Sequence, residues 1–155
     1  MAIRYRNSRG HELTIVTAST KAQVVEGISR LGYDERELFF KHGSFNPYEG
    51  VFRNSHASGP IFGFRAEYRS LVRLHAALPD GFARPVALLK RWRFGMALGY
   101  LAEYVEGINL RDMLTDSTGR FPMDVKIGAM EEFIAILNAM RRAGLSDGDP
   151  GIKTA

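Results

Sequence analysis

The chain has 155 residues, of which 45% are hydrophobic and 25% are charged, so it is large and apolar enough for a soluble globular domain with a hydrophobic core. Its formal net charge of +4 comes from scattered basic residues, which allow an acidic partner but identify none. The lack of cysteine excludes a disulfide framework, a thiolate metal site and a cysteine nucleophile.

The N-terminal segment and the most apolar run both bear on localisation. Residues 1–10 are polar and rich in arginine, with no apolar segment behind them, which argues against a secretory signal. The run from Gly95 to Val105 contains Glu103 and is too short to span a bilayer as a helix. We therefore predict a cytoplasmic protein without a membrane span.

The first third of the chain contains β-branched and aromatic runs followed by a polar stretch. Residues 12–17 predict a strand, whereas residues 22–28 fit a second strand or a short helix equally well. Residues 37–42 predict a short apolar strand. Residues 43–63 are rich in Gly, Ser, Asn and Pro, and they predict a long loop, while residues 42–50 are expected to be flexible.

Helical periodicity begins at Phe64. Apolar residues recur there at helical spacing, and Pro79-Asp80-Gly81 ends the pattern. The members of this stripe are Phe64, Tyr68, Leu71, Leu74, His75 and Leu78. The pattern predicts an amphipathic helix over 64–78.

The rest of the chain predicts a hairpin followed by helices. Residues 85–92 and 96–105 are two apolar runs that suit paired strands. A short helix is predicted near Asn109, and Pro122 opens a longer helix that Gly144 terminates. Its apolar face comprises Val125, Ile127, Met130, Phe133, Ile134, Leu137 and Met140. The order predicts an α+β fold, with an antiparallel sheet carrying a packed helix and helices after it.

Three strings within this order resemble parts of a known fold. In chain order they are FRAEYRSLVRLHAAL (64–78), LGYLAEYVEGINLRDML (98–114) and AILNAMRRAGLSDGD (135–149). In the protein-kinase-like fold, the first resembles the regulatory helix, and the second resembles the hinge with the strand before it and the helix after it. The third resembles the helix and loop that lead to the catalytic aspartate. The similarity is to its aminoglycoside phosphotransferase and lipopolysaccharide-kinase branches.

The resemblance covers roughly Leu38 to the C-terminus, and residues 1–36 match no part of that fold. It implies that residues 1–105 form a kinase-like N-terminal lobe, and that residues 106–155 form a hinge helix and the start of a C-terminal lobe. It also implies an ATP-dependent phosphotransferase that uses ATP and Mg²⁺.

Lys41 and Glu67 are the candidate phosphate-binding pair. Lys41 ends an apolar strand, where an ammonium is costly to bury without an anion. Glu67 shares a helix face with the apolar stripe, so its carboxylate turns the same way. The resemblance implies that Lys41 is the phosphate-orienting lysine and that Glu67 is the helix glutamate that holds it. The alternative is that Lys41 is a solvated strand end and that Glu67 is a separate charge at the rim of the helix face.

The string Glu103-Tyr104-Val105 matches the hinge of the kinase-like fold. The resemblance implies that its backbone carbonyl and amide groups bind the edge of an adenine. The alternative is a core strand that leaves into a turn at Gly107.

Asp149 matches the catalytic-loop aspartate, which orients or accepts the proton of the acceptor hydroxyl. Asp147 stands where a histidine or arginine is usual, and Thr154 stands where a metal-binding asparagine is usual. The later metal-binding aspartate does not follow. These departures predict a truncated or degenerate relative that binds nucleotide without transferring phosphate at an enzyme-like rate. The alternative reading of residues 147–151 is a polar turn.

A second hypothesis is a small basic module that binds a protein or nucleic acid without catalysis. The string Arg91-Trp92-Arg93-Phe94 interleaves cations and aromatic rings as nucleic-acid surfaces do, although cation–π packing at a hairpin explains it as well. The expected partners are a nucleotide and either a protein or a second copy covering the last helix. Nucleic acid is not expected. The four histidines lack metal-ligand spacing, so no metal site is predicted.

Overall fold

The computed structural model describes residues 1–58, 63–78, 82–142 and 144. The described residues divide into two compact units, of which the first comprises residues 1–76 and 82–105 and the second comprises Ala77, Leu78 and the residues after Val105. One unit is built from the strands and the first two helices, and the other from the two later helices.

The first unit contains the sheet and two helices that cover it. Its described elements are strand β1 (Ala2–Arg6), strand β2 (Glu12–Thr17), helix α1 (Lys21–Arg30), strand β3 (Leu38–His42), strand β4 (Asn54–Ala57), helix α2 (Phe64–Ala77), strand β5 (Pro85–Lys90) and strand β6 (Ala97–Glu103). A single 3₁₀ turn, Glu35–Glu37, leads into β3.

The sheet order is β1-β2-β5-β6-β3-β4. The three strands predicted to lie together, β5, β6 and β3, are antiparallel neighbours as expected. The sheet as a whole is mixed, which corrects the prediction of an antiparallel sheet, because β2 pairs with β5 and β3 pairs with β4 in parallel. The α+β class is confirmed.

Capping decides the ambiguity between helix and strand at residues 22–28. Thr20 adopts an extended backbone, and its hydroxyl accepts a hydrogen bond from the Gln23 amide at 3.2 Å, which satisfies one free donor of the first turn. Val24 and Ile28 lie four residues apart on the resulting helix, and both are fully buried. The segment is therefore helix α1.

The two faces of the sheet carry separate hydrophobic clusters. Leu88 and Tyr100 join Leu13 and two aromatic residues of α2 in one cluster, whereas Leu89 and Leu101 join the other. Because side chains alternate along a strand, these clusters lie on opposite faces. The aromatic residues of α2 are Phe64 and Tyr68, both buried. Helix α2 therefore packs on the sheet, as the sequence predicts.

The segment predicted as a long loop is anchored to the core by its own aromatic residues. Tyr48 is 1% exposed and Phe52 is 7% exposed, and both belong to the main core cluster. The Tyr48 hydroxyl donates to the Ala18 carbonyl at 2.5 Å. The same segment also contributes β4. The loop prediction is confirmed for residues 43–53, which form no helix or strand, and is wrong at residues 54–57, where β4 forms. Because Tyr48 and Phe52 are buried, this loop is anchored in the core and is not the flexible one expected at residues 42–50. Residues 59–62 lie outside the described ranges.

The second unit consists of helix α3 (Leu110–Thr115) and helix α4 (Met123–Arg142), both at predicted positions. Asn109 caps α3 by accepting from the Arg111 amide at 2.8 Å. The Lys126 ammonium donates to the Asp116 carbonyl at 2.8 Å, which ties α4 to the segment after α3. Among the helices that the structure describes, none has the length and apolarity needed to cross a membrane.

Candidate functional site

Lys41 and Tyr100 lie directly opposite each other on β3 and β6. Helix α2 covers this part of the sheet, with Phe64 and Tyr68 packed in the same cluster as Tyr100. Glu67 stands on the helix between those two aromatic residues. The topology therefore brings a strand lysine, a strand tyrosine and a helix glutamate to one place.

The Lys41 ammonium and the Glu67 carboxylate form an ion pair. Their Nζ and Oε1 atoms are 2.5 Å apart, and the two side chains are 26% and 38% exposed. The predicted pair is thus present, and the alternative of two separate solvated charges is wrong. Its role toward a nucleotide stays a prediction.

Tyr100 is the third member of the site and was not predicted from the sequence. Its hydroxyl donates to Glu67 Oε1 at 2.9 Å, the same oxygen that accepts from Lys41. The Lys41 ammonium also lies 5.9 Å from the centre of the Tyr100 ring. The only signal that points to Tyr100 is its register opposite Lys41, which a single sequence does not display.

Burial and the neighbouring carboxylate keep the Tyr100 phenol protonated. Burial raises the pKa of Tyr100 far above its usual value, and the hydrogen bond to Glu67 together with the charge of that carboxylate raises the pKa further. The phenol is therefore a hydrogen-bond donor at every physiological pH. It holds Glu67 toward Lys41.

The arrangement leaves Lys41 with donors for a ligand. An ammonium has three N–H donors, of which Glu67 takes one. About a quarter of the Lys41 side chain is solvent-accessible, so an anion can reach it. Chemically, the site is a positioned and partly desolvated cation.

Gly99 allows β6 to approach β3 beside this site. It pairs with His42 across the ladder, and a Cβ there would overlap the Lys41 carbonyl oxygen and lie 2.7 Å from Phe40 Cε1. Only glycine fits without a shift of the strands. The close approach fixes the backbone that carries Lys41.

Two of the predicted hinge amides already donate to backbone carbonyl groups of the same unit. The Glu103 amide donates to the Arg84 carbonyl and the Tyr104 amide donates to the Glu37 carbonyl, each at 2.8 Å. The Glu103 carboxylate accepts from the Arg84 amide at 3.2 Å. Neither of these N–H groups is available to an adenine. The hinge prediction now depends on the backbone carbonyl groups and on the backbone amide of Val105, a residue that is 66% exposed.

The predicted catalytic Asp149 lies outside the described residues, as do Asp147 and Thr154. Within the described part of the chain, no group of three or more His, Asp or Glu side chains is placed to hold a metal ion.

Comparisons of the chain with protein-family models, with curated proteins and with solved structures found no significant match. Function is therefore inferred from the geometry of the residues themselves.

Proposed function

We propose that the first unit binds a nucleoside triphosphate such as ATP, with Lys41 contacting the phosphates and Glu67 orienting the lysine. The observation that carries this proposal is the 2.5 Å ion pair that joins β3 to α2. Phosphate binding of this kind needs a positioned cation and an acid that holds it. Tyr100 fixes the acid from the neighbouring strand.

The surroundings of the pair support a ligand-binding role beyond fold stability. A partly exposed ion pair contributes little to stability, because solvent screens its attraction. Here the glutamate has a second donor from a buried tyrosine, so its position is more tightly specified than a surface pair requires. Such preorganisation is what a phosphate site needs.

The local order of elements also supports the proposal. The kinase-like resemblance implies a lysine strand, a helix and a hairpin that share one sheet. Here β3, β6 and β5 are adjacent in that sheet, and α2 covers it. Magnesium would enter with the nucleotide phosphates, which supply oxygen ligands that this cation prefers.

Calorimetric titration of ATP with Mg²⁺ tests the proposal. The wild type is expected to bind, and a concentration about 100-fold above Kd should stabilise the fold by about 2.7 kcal/mol. Lys41→Ala should weaken binding by at least about tenfold, because it removes the phosphate cation. Lys21→Ala, an exposed lysine at the start of α1, is the matched control and should bind as the wild type does.

A second variant separates lost binding from lost folding. Lys41→Met combined with Glu67→Gln removes both charges, so no unpaired carboxylate remains. Circular dichroism should show that this variant is folded, while titration shows weak binding. Equal nucleotide affinity in the wild type and both Lys41 variants would refute the proposal.

Phosphate transfer is tested separately from binding. The departures around Asp149 predict that the purified chain does not transfer radiolabelled phosphate at an enzyme-like rate. Robust transfer that disappears in Lys41→Ala would contradict this prediction and would point to a complete catalytic set.

The β5–β6 hairpin favours the second candidate, a basic interaction module. At its tip, Trp92 is 59% exposed and Phe94 is 93% exposed. The Arg91 guanidinium lies 4.7 Å from the centre of the Trp92 ring, and that of Arg93 lies 5.4 Å from the centre of the Phe94 ring. Binding of a labelled single-stranded oligonucleotide that falls steeply with salt, and is lost in Trp92→Ala with Phe94→Ala, would support this candidate.

A further inference from the structure

A cationic cleft lies between the β1–β2 turn and helix α2, away from the Lys41 site. Its volume is about 200 Å³. It is lined by Asn7, Ser8, Arg9, His11, Arg69, Ser70 and Arg73.

The charge in this cleft is unbalanced. Three arginines line it, whereas its described lining contains neither Asp nor Glu. The three ion pairs found within the described ranges involve other residues. Like charges gathered around one small volume repel each other, so a bound anion would lower the electrostatic free energy of the site.

Helix geometry separates this cleft from the nucleotide site. Arg69 and Arg73 are four residues apart, so they lie one turn apart on the same flank of α2. They stand roughly 200° and 240° around the helix from Glu67. Glu67 reaches toward β3, while the two arginines line the cleft beside the β1–β2 turn at the other end of the sheet order.

Both walls of the cleft are held in place by hydrogen bonds. The Asn7 side-chain oxygen accepts from the amides of Arg9 and His11, each at 3.0 Å, and this fixes the turn. On the opposite wall, Tyr68 precedes Arg69, is buried, and accepts from the Thr14 amide of β2 at 3.0 Å. The cationic groups therefore project from two rigid supports, which lowers the entropic cost of binding.

We propose that this cleft binds a phosphate monoester. Arginine guanidinium groups match two phosphate oxygens at once, and the hydroxyls of Ser8 and Ser70 add neutral donors to the lining. The volume exceeds the share of liquid taken by several water molecules, at about 30 Å³ each, so a phosphate group fits. This site is additional to the proposed nucleotide site and does not depend on it.

Titrations at low ionic strength with inorganic phosphate and with O-phosphoserine test the proposal. The double variant Arg69→Gln with Arg73→Gln should weaken binding by about tenfold or more. Arg65→Gln is the matched control, because Arg65 is an exposed arginine on the same helix that does not line this cleft. It should bind as tightly as the wild type.

The Lys41→Ala variant assigns the signal to one site. Phosphate affinity should be unchanged in this variant if the cleft is the binding site, even where its ATP affinity falls. Loss of phosphate binding in Lys41→Ala would place the anion at the ion-pair site and overturn the proposal. Equal phosphate affinity in the wild type and the double arginine variant would overturn it too.

Vesicles separate a free ester from a lipid headgroup. Phosphatidylcholine vesicles with and without phosphatidic acid present the same monoester on a membrane surface. Arginine-dependent binding to phosphatidic acid vesicles alone would assign the site to a lipid phosphate, whereas binding of soluble esters assigns it to a free one. No binding to any of these probes by the wild type would refute the site.

Discussion

Glu67 connects three structural elements through one carboxylate oxygen. Its Oε1 atom accepts from the Lys41 ammonium on β3 and from the Tyr100 hydroxyl on β6, while its own backbone belongs to α2. A carboxylate at such a position is costly to desolvate unless donors satisfy it. The two donors meet this requirement, so the position of Lys41 depends on a tyrosine that faces it across the sheet.

Tyr100→Phe should destabilise the fold by about 1 to 2 kcal/mol, because it deletes one hydrogen bond to a charged acceptor without removing the ring. Urea unfolding measures this change. Tyr104→Phe is the control, since Tyr104 is 41% exposed and its loss should alter stability by less than about 0.5 kcal/mol. Similar small effects of both substitutions would show that the Tyr100 hydroxyl does not hold Glu67.

The buried phenol of Tyr48 should make the fold sensitive to alkaline pH. Burial raises the pKa of Tyr48 to about 12 from its ordinary value of 10.0. The native state then holds this proton longer than the unfolded state does, so the contribution to stability is fully present below pH 10 and is lost as pH rises through the folded pKa. The loss amounts to at most about 3 kcal/mol.

Chemical unfolding at several pH values between 8 and 12 tests this expectation. The free energy of unfolding of the wild type should fall more steeply above pH 10 than that of Tyr48→Phe, which has no phenol to titrate. Tyr48→Phe is also expected to be less stable at neutral pH, because it loses the donor to the Ala18 carbonyl. Parallel pH profiles for the two proteins would contradict the assignment.

Among the elements, those with strong apolar periodicity were predictable. Helix α2 buries Phe64 and Tyr68 at helical spacing, and β3 buries alternate residues. Strands β5 and β6 bury continuous runs, which agrees with their continuous apolar sequences. Strand β1 was not predicted because it is an edge strand whose arginines alternate with Ile3, which is 47% exposed, and with partly buried Tyr5. Strand β4, with the sequence NSHA, buries none of its side chains, so the sequence gives no apolar signal for it.

Parallel pairing is the other feature that the sequence could not supply. Strands β2 and β5 pair through residues separated by more than seventy positions, for example Ile15 with Leu88. Nothing local specifies such a partner, because the pairing depends on which faces of the sheet α1 and α2 cover. The Lys41–Glu67 ion pair was predictable because each charged residue stands beside apolar positions of its strand or helix. The presence of Tyr100 in the site depends on the register between β3 and β6, which the sequence does not show.

The contact between β3 and β6 should be the element interface most sensitive to a single methyl group. Gly99→Ala places a Cβ against the Lys41 carbonyl and Phe40, so the strands must separate at the cost of about 3 kcal/mol. Gly128→Ala is the control in α4, where a Cβ meets nothing within 4 Å and should increase stability by about 0.5 to 1 kcal/mol. Thermal unfolding compares the two variants, and tolerance of Gly99→Ala would contradict the close approach.

At the level of the whole molecule, the two units differ in how much apolar surface they bury. All the buried hydrophobic residues among those described lie at or before Leu101, so they belong to the first unit. Helix α4 contains no buried residue, although its apolar face is broad, with Ile127 at 52% and Ile134 at 50% exposure. Because apolar burial supplies most of the stability of a fold, the second unit should be the less stable one.

Hydrogen exchange tests this difference and the expected self-association together. At low protein concentration the amides of α4 should exchange far faster than those of β5 and β6, since local opening of an uncovered helix costs little.

Raising the concentration about a hundredfold should slow exchange in α4, because a second copy can cover the exposed apolar face and so stabilises it by mass action. Ile134→Glu should abolish the concentration dependence in α4 and leave the strands unchanged. Fast, concentration-independent exchange in wild-type α4 would contradict self-association, and slow exchange even at low concentration would contradict the weak stability inferred for this unit.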